Sequence, residues 1–219
     1  MGVAIFEYPQ KGFFGKTIPK TKFYEHGNVS NKLKDLFIKQ VEQITWLYKL
    51  APETINVQAT KDITEIQVFE IALKDEDLNE DILLCIDKAV QYPIIFEVKS
   101  RAGIRTTCAM KTRSINGAWR MGRYLQSKIY PEYVVREKLN VSLHLKSIYE
   151  QIICAVCDTQ MKQGENLETF AERDDAIQSK KILIAGLKNK IQAEKQFKKR
   201  VELNSKLRIM VEELNQLLI

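Results

Sequence analysis

The 219-residue chain has few of the residues that usually advertise chemistry: four cysteines, two histidines, five prolines and nine glycines. Four cysteines over this length make no disulfide framework, so reduced thiols and a cytoplasmic setting are expected. Cys154-Ala-Val-Cys157 is a lone Cys-x-x-Cys, while Cys85 and Cys108 lie far away in sequence and His26 and His144 are single. A zinc site needs a second such pair, so the two thiols read as small buried side chains, and no metal or cofactor is expected. No apolar run approaches the ~20 residues of a membrane span. The first 20 residues lack the apolar core of a signal peptide, and Phe6 stands where a myristoylation signal after Met1-Gly2 needs Ser or Thr.

What is present is ample core material, 45% hydrophobic and 9% aromatic, with 34 Lys and Arg against 28 Asp and Glu. The basic excess permits contact with nucleic acid or an acidic partner without demanding it. The organising stretch is ITEIQVFEIALK at residues 63–74. Ile66, Val68 and Ala72 share one side with Glu70, while Phe69, Ile71 and Leu73 take the other, so the spacing predicts a strand covered on both faces. Ser30 caps a helix expected to run to about Leu50, with Leu33, Leu36, Phe37, Val41, Ile44, Leu47 and Tyr48 at helical spacing. Pro52 ends it. A second helix is expected over 81–90. Three strands then follow: Ile94, Phe96 and Val98 on the inner face of the first, Ile104, Thr106, Cys108 and Met110 on that of the second, and 119–129 as the third after an Asn116-Gly117 turn. A helix is expected over 145–160.

The fold expected is α+β: a mainly antiparallel four-stranded sheet with packed helices, followed by a C-terminal helical coiled coil. The divisions are an irregular arm over 1–27, pinned by Phe13, Phe14, Phe23 and Tyr24; a core over 28–160; and a linker with coiled-coil helices over 161–219. In the tail, Ile184, Leu187 and Ile191 follow a 3–4 spacing. Leu203, Leu207, Met210, Leu214 and Leu217 do so again, out of register with the first run near Phe197.

Glu97-Val98-Lys99 has the Glu-x-Lys spacing of a metal-dependent nuclease strand, where the carboxylate holds Mg²⁺ and the lysine steadies charge near the attacking water. A second acid is required, and Glu65 or Glu70 are the candidates. Because Glu97 and Lys99 alternate with core residues, the plainer expectation is a solvated charge pair, with Arg105 and Lys111 in further cross-strand pairs on a wet face. Lys195, Lys198, Lys199 and Arg200 form a basic cluster that would meet a phosphate backbone, or else flank a coiled coil.

IPKTKFYE at 18–25, ITWLYKLAPETINV at 44–57, ITEIQVFEI at 63–71 and EKQFKKRVELNSKL at 194–207 together resemble the bacterial proteins of domain of unknown function family 4391. The resemblance brings no catalytic residues. It implies a setting, because genes of that family tend to lie beside DNA methyltransferases and helicases in clusters of restriction or anti-phage type. The expectation is therefore a non-enzymatic accessory or scaffold protein of such a complex, assembling with itself or with a helicase or methyltransferase through its C-terminal helices. The alternatives are a nuclease using Glu97 and Lys99, and a general nucleic-acid-binding module.

Overall fold

A computed structural model describes residues 3–25, 29–113 and 119–219. The Asn116-Gly117 turn and His26 lie outside the described residues. The chain forms two compact units, which divide between Asp158 and Thr159.

The first unit is built on a six-stranded sheet, two strands more than expected. In chain order its elements are β1 (Phe6–Glu7), β2 (Phe13–Thr17), α1 (Thr21–Glu25), α2 (Asn31–Gln40), β3 (Val41–Leu50), α3 (Pro52–Ile55), β4 (Ile66–Leu73), α4 (Glu80–Ala89), β5 (Ile94–Ser100), β6 (Gly103–Arg113), β7 (Trp119–Gln126), β8 (Glu137–Lys138) and α5 (Leu145–Val156). The sheet order is β2-β3-β4-β5-β6-β7, and every neighbouring pair is antiparallel except β4 and β5. Those two run parallel because α4 carries the chain back between them. β4 is interior and buried on both sides, as its two-sided apolar pattern predicts.

The first additional strand is β3. Ser30 does cap α2, accepting from the Leu33 N–H, but the helix stops at Gln40. Residues 41–50 are rich in β-branched and aromatic side chains, and they pair with β4 along its whole length. The second is β2, which turns the expected irregular arm into a sheet edge. Gly15, at φ +62°, allows the irregularity between Phe13 and Lys16 that breaks the edge ladder. Phe14 stacks on Trp46 and Phe13 on Tyr48, while Phe23 enters the core.

Phe37, Ile82, Leu83 and Ile86 of α2 and α4 cover Phe69, Ile71, Phe96 and Val98 on one face. The other face, expected to be covered over β4 but wet around Glu97 and Lys99, is covered by α5 over β6 and β7. There the Tyr149 hydroxyl of α5 donates to the Ala109 carbonyl at 2.8 Å and accepts from the Lys111 N–H at 2.9 Å. It serves the backbone groups freed by the irregularity of the β6–β7 ladder between these two residues.

The second unit contains α6 (Leu167–Ala193) and α7 (Phe197–Leu218). Asn166 caps α6 through the Thr169 N–H. The register slip read near Phe197 is a turn of residues 194–196, after which α7 runs back along α6: Lys180 meets Glu213 at 2.5 Å and Arg173 donates to the Leu217 carbonyl at 3.3 Å. The tail is thus a helical hairpin within one chain.

Candidate functional site

The β4–β5 register sets the site. Parallel pairing places Glu70 opposite Glu97, with Ala72 opposite Lys99. On the other side of β5, Thr106 stands opposite Glu97. Neighbours in register share a face, so two carboxylates and a lysine meet on one side of the sheet. Of the two acids considered as partners, Glu70 is the one brought beside Glu97. Glu65 accepts from Gln67 Nε2 at 2.6 Å and lies 3.4 Å from Lys49, apart from this group.

Glu97 is not solvated: it is 1% exposed. Arg136 donates to both its oxygens, at 2.5 and 2.8 Å, and to the Phe6 carbonyl at 2.8 Å. This two-pronged geometry suits a planar guanidinium on a carboxylate. The hydrogen bond to Glu97 holds the Arg136 guanidinium proton more firmly than usual. A short parallel ribbon of β1 and β8 pairs Phe6 with Glu137 and Glu7 with Lys138 beside the pair. The Thr106 hydroxyl donates to the Ala4 carbonyl at 2.5 Å, and the Ala4 N–H donates to the Tyr130 hydroxyl at 3.0 Å. Tyr8 packs on Tyr48, its hydroxyl buried and without a hydrogen-bond partner. Burial first, and the Glu97 charge next, push that phenol well above its ordinary value.

Lys99 is half-buried between two carboxylates, 3.6 Å from Glu70 and 3.6 Å from Glu132. Glu97 and Lys99 are therefore not each other's partners: Arg136 takes Glu97, and Lys99 is shared between Glu70, an expected acid, and Glu132, an unexpected one. The arrangement can hold charge in a fixed geometry, and it leaves Glu97 no open oxygen for a ligand while Arg136 is in place.

Lys111 also departs from expectation. It points under the C-terminal end of α4, 2.7 Å from Asp87, and donates to the carbonyls of Asp87 at 3.1 Å and Tyr92 at 2.9 Å. Tyr124 donates to the other Asp87 oxygen at 2.6 Å. Burial pushes the Asp87 carboxyl up, against the pull of Lys111, and pushes the Tyr124 phenol up as well. This group ties α4 to β6 and β7. The signal for it was Asp87 itself, a charge beside Leu83 and Ile86 in an otherwise apolar stripe.

Cys154 lies on α5 and Cys157 just past its end, and neither is in a disulfide. Among the described residues no group of three or more His, Cys, Asp or Glu could hold a metal ion. The basic residues Lys195, Lys198, Lys199 and Arg200 fall on the turn of the hairpin and the first turn of α7.

A family model described as Domain of unknown function (DUF4391) matches residues 6–214. The chain belongs to this family. The DUF4391 match begins at β1 and ends near the last turn of α7, so the ribbon over Glu97 and nearly all of the hairpin lie within the family's extent. No curated protein and no solved structure matches the chain.

Proposed function

We propose that this DUF4391 protein is a non-enzymatic accessory protein of a bacterial DNA restriction-modification or anti-phage complex, and that it assembles through its C-terminal hairpin. The observation that carries the reading is the incomplete burial of α7. Leu203, Leu207, Met210, Leu214 and Leu217 keep a heptad spacing, yet no residue of this 22-residue helix is buried. Ile182 is 72% exposed and Ile209 60%. The stripes of α6 and α7 face each other and Ile182 and Ile209 lie off them, so two antiparallel helices cover only one side of each helix, whereas two hairpins together make a four-helix bundle with an enclosed core. A second copy of the chain is the occupant that supplies matching helices; a helicase or methyltransferase subunit is the competing one. The genomic company of the family supports the cellular setting.

Light scattering on the full chain should give a dimer, and the double variant Ile182→Glu/Ile209→Glu should give a monomer. A wild-type monomer at tens of micromolar protein would sink self-association and leave the hairpin to a different protein.

A second reading, a metal-dependent nuclease, has one observation in its favour: Glu70 stands in register with Glu97, with Lys99 ion-paired to Glu70. Its requirement is displacement of Arg136 from Glu97. On the accessory reading, supercoiled DNA incubated with the protein and Mg²⁺ or Mn²⁺ stays intact. Cutting that disappears in Glu97→Ala or Lys99→Ala would install the nuclease instead.

A further inference from the structure

The hairpin carries its charge at one end. Lys188 and Lys190 close α6, Lys195 sits in the turn, and Lys198, Lys199 and Arg200 open α7. All six are exposed. The one acid within residues 186–200 is Glu194, and its carboxylate is engaged, accepting from the Gln196 N–H at 2.8 Å. Among the described residues none of the six cations pairs with a carboxylate. Toward the opposite end the acids Glu168, Glu172, Asp175, Glu212 and Glu213 are accompanied by Arg173, and Asp174 is buried. Most of the chain's net charge of +6 is thus concentrated at the tip. The helix dipoles oppose each other there, the C-terminal end of α6 beside the N-terminal end of α7, so the positive field is that of the side chains.

We infer that the hairpin tip is a contact for the phosphate backbone of duplex DNA. Unpaired Lys and Arg on long, mobile stems are what a sequence-independent backbone contact uses, each neutralising about one phosphate and releasing its counterion. The cations come from both helices and from the turn between them, so they are spread around the tip. A rod-like polyanion meets more of such a set than a flat bilayer does. Phe197 is the one aromatic exposed at the tip. A channel for single strands stacks successive bases on several aromatics, which disfavours that ligand. The inference stands apart from self-association: a monomer could bind DNA, and a dimer could fail to.

The test is fluorescence anisotropy of a 30-base-pair duplex with the full-length protein, from 50 to 200 mM salt. The wild type should bind with log affinity falling against log salt at a slope of about −3 or steeper. Lys198→Glu/Lys199→Glu/Arg200→Glu should flatten that slope by about two to three and weaken binding at 50 mM salt by more than about tenfold. Lys180→Ala/Lys181→Ala, in the middle of α6 and away from the tip, should leave both unchanged. Circular dichroism should show the same helix content for all three proteins. No binding by the wild type, an unchanged slope in the triple variant, or an equal loss in the α6 variant would overturn the assignment. So would binding to phosphatidylserine vesicles in place of the duplex.

Discussion

Two ion pairs of nearly equal length show how differently the two units are built. Lys111 and Asp87 meet at 2.7 Å with side chains 3% and 1% exposed; Lys180 and Glu213 meet at 2.5 Å with side chains 27% and 49% exposed. The first joins α4 to β6 inside a sheet closed on both faces. The second ties α6 to α7 in water. In the first, dry surroundings make separation costly, because removing one partner strands a charge away from solvent. In the second, water already solvates both groups and screens them. The sheet unit thus spends its charges on holding itself together, including Glu97. The hairpin unit buries one pair, Arg173 with Glu165, near the start of α6, but its turn and α7 leave charges and apolar side chains such as Ile209 facing outward, where a partner can meet them.

The comparison is broken most directly at Lys111. Lys111→Met should cost about 3–5 kcal/mol in urea unfolding, since it leaves Asp87 buried without its cation. It also removes the donor to the carbonyls of Asp87, in the last turn of α4, and of Val90, just past its end. Asp87→Leu/Lys111→Met should recover most of the loss, because an apolar pair of similar volume has no charge to desolvate. A double variant as unstable as the single one would show that the lysine acts through the carbonyls rather than through the aspartate. A loss under about 1 kcal/mol in the single variant would mean that the pair is hydrated.

The same contrast explains what the sequence made legible. β4 could be read because alternation on both faces of residues 66–73 has one structural meaning, an interior strand. The cap of α2 could be read from Ser30. β3 could not, because Val41, Ile44, Leu47 and Tyr48 satisfy a helical period, and neither glycine nor proline marks the change from α2 to β3. The strand arises from pairing with β4 over 41–50, a non-local cause. The turn at 194–196 lacks a helix breaker as well, so its only local trace was the shift in the heptad register. At the candidate site Glu97 and Lys99 were found by their spacing and Glu70 as a candidate acid, but Arg136 and Glu132 were not. Arg136 is 39 residues from Glu97, in the irregular stretch between β7 and β8, where no periodic pattern or motif marks it. Glu132 lies farther along the chain from Lys99 than any local pattern reaches. Asp87 was in principle visible, since a charged residue inside an apolar helical stripe requires a buried counter-charge.

The smallest effect is expected at the exposed pair, and it sharpens the contrast because the geometry is no worse. Lys180→Ala removes a 2.5 Å contact to Glu213, yet the loss should be about 0.2–1 kcal/mol. The carboxylate left behind is 49% exposed and remains hydrated. Salt separates the two cases further. Raising NaCl from 0.05 to 1 M shortens the screening length from above ~10 Å to ~3 Å, which should erase the Lys180 effect while leaving the Lys111 effect nearly intact. The measurement is the difference in unfolding free energy between wild type and Lys180→Ala at the two salt concentrations. A loss above about 2 kcal/mol that persists in 1 M salt would mean that this contact is enclosed in solution, as it would be if a second hairpin covered it.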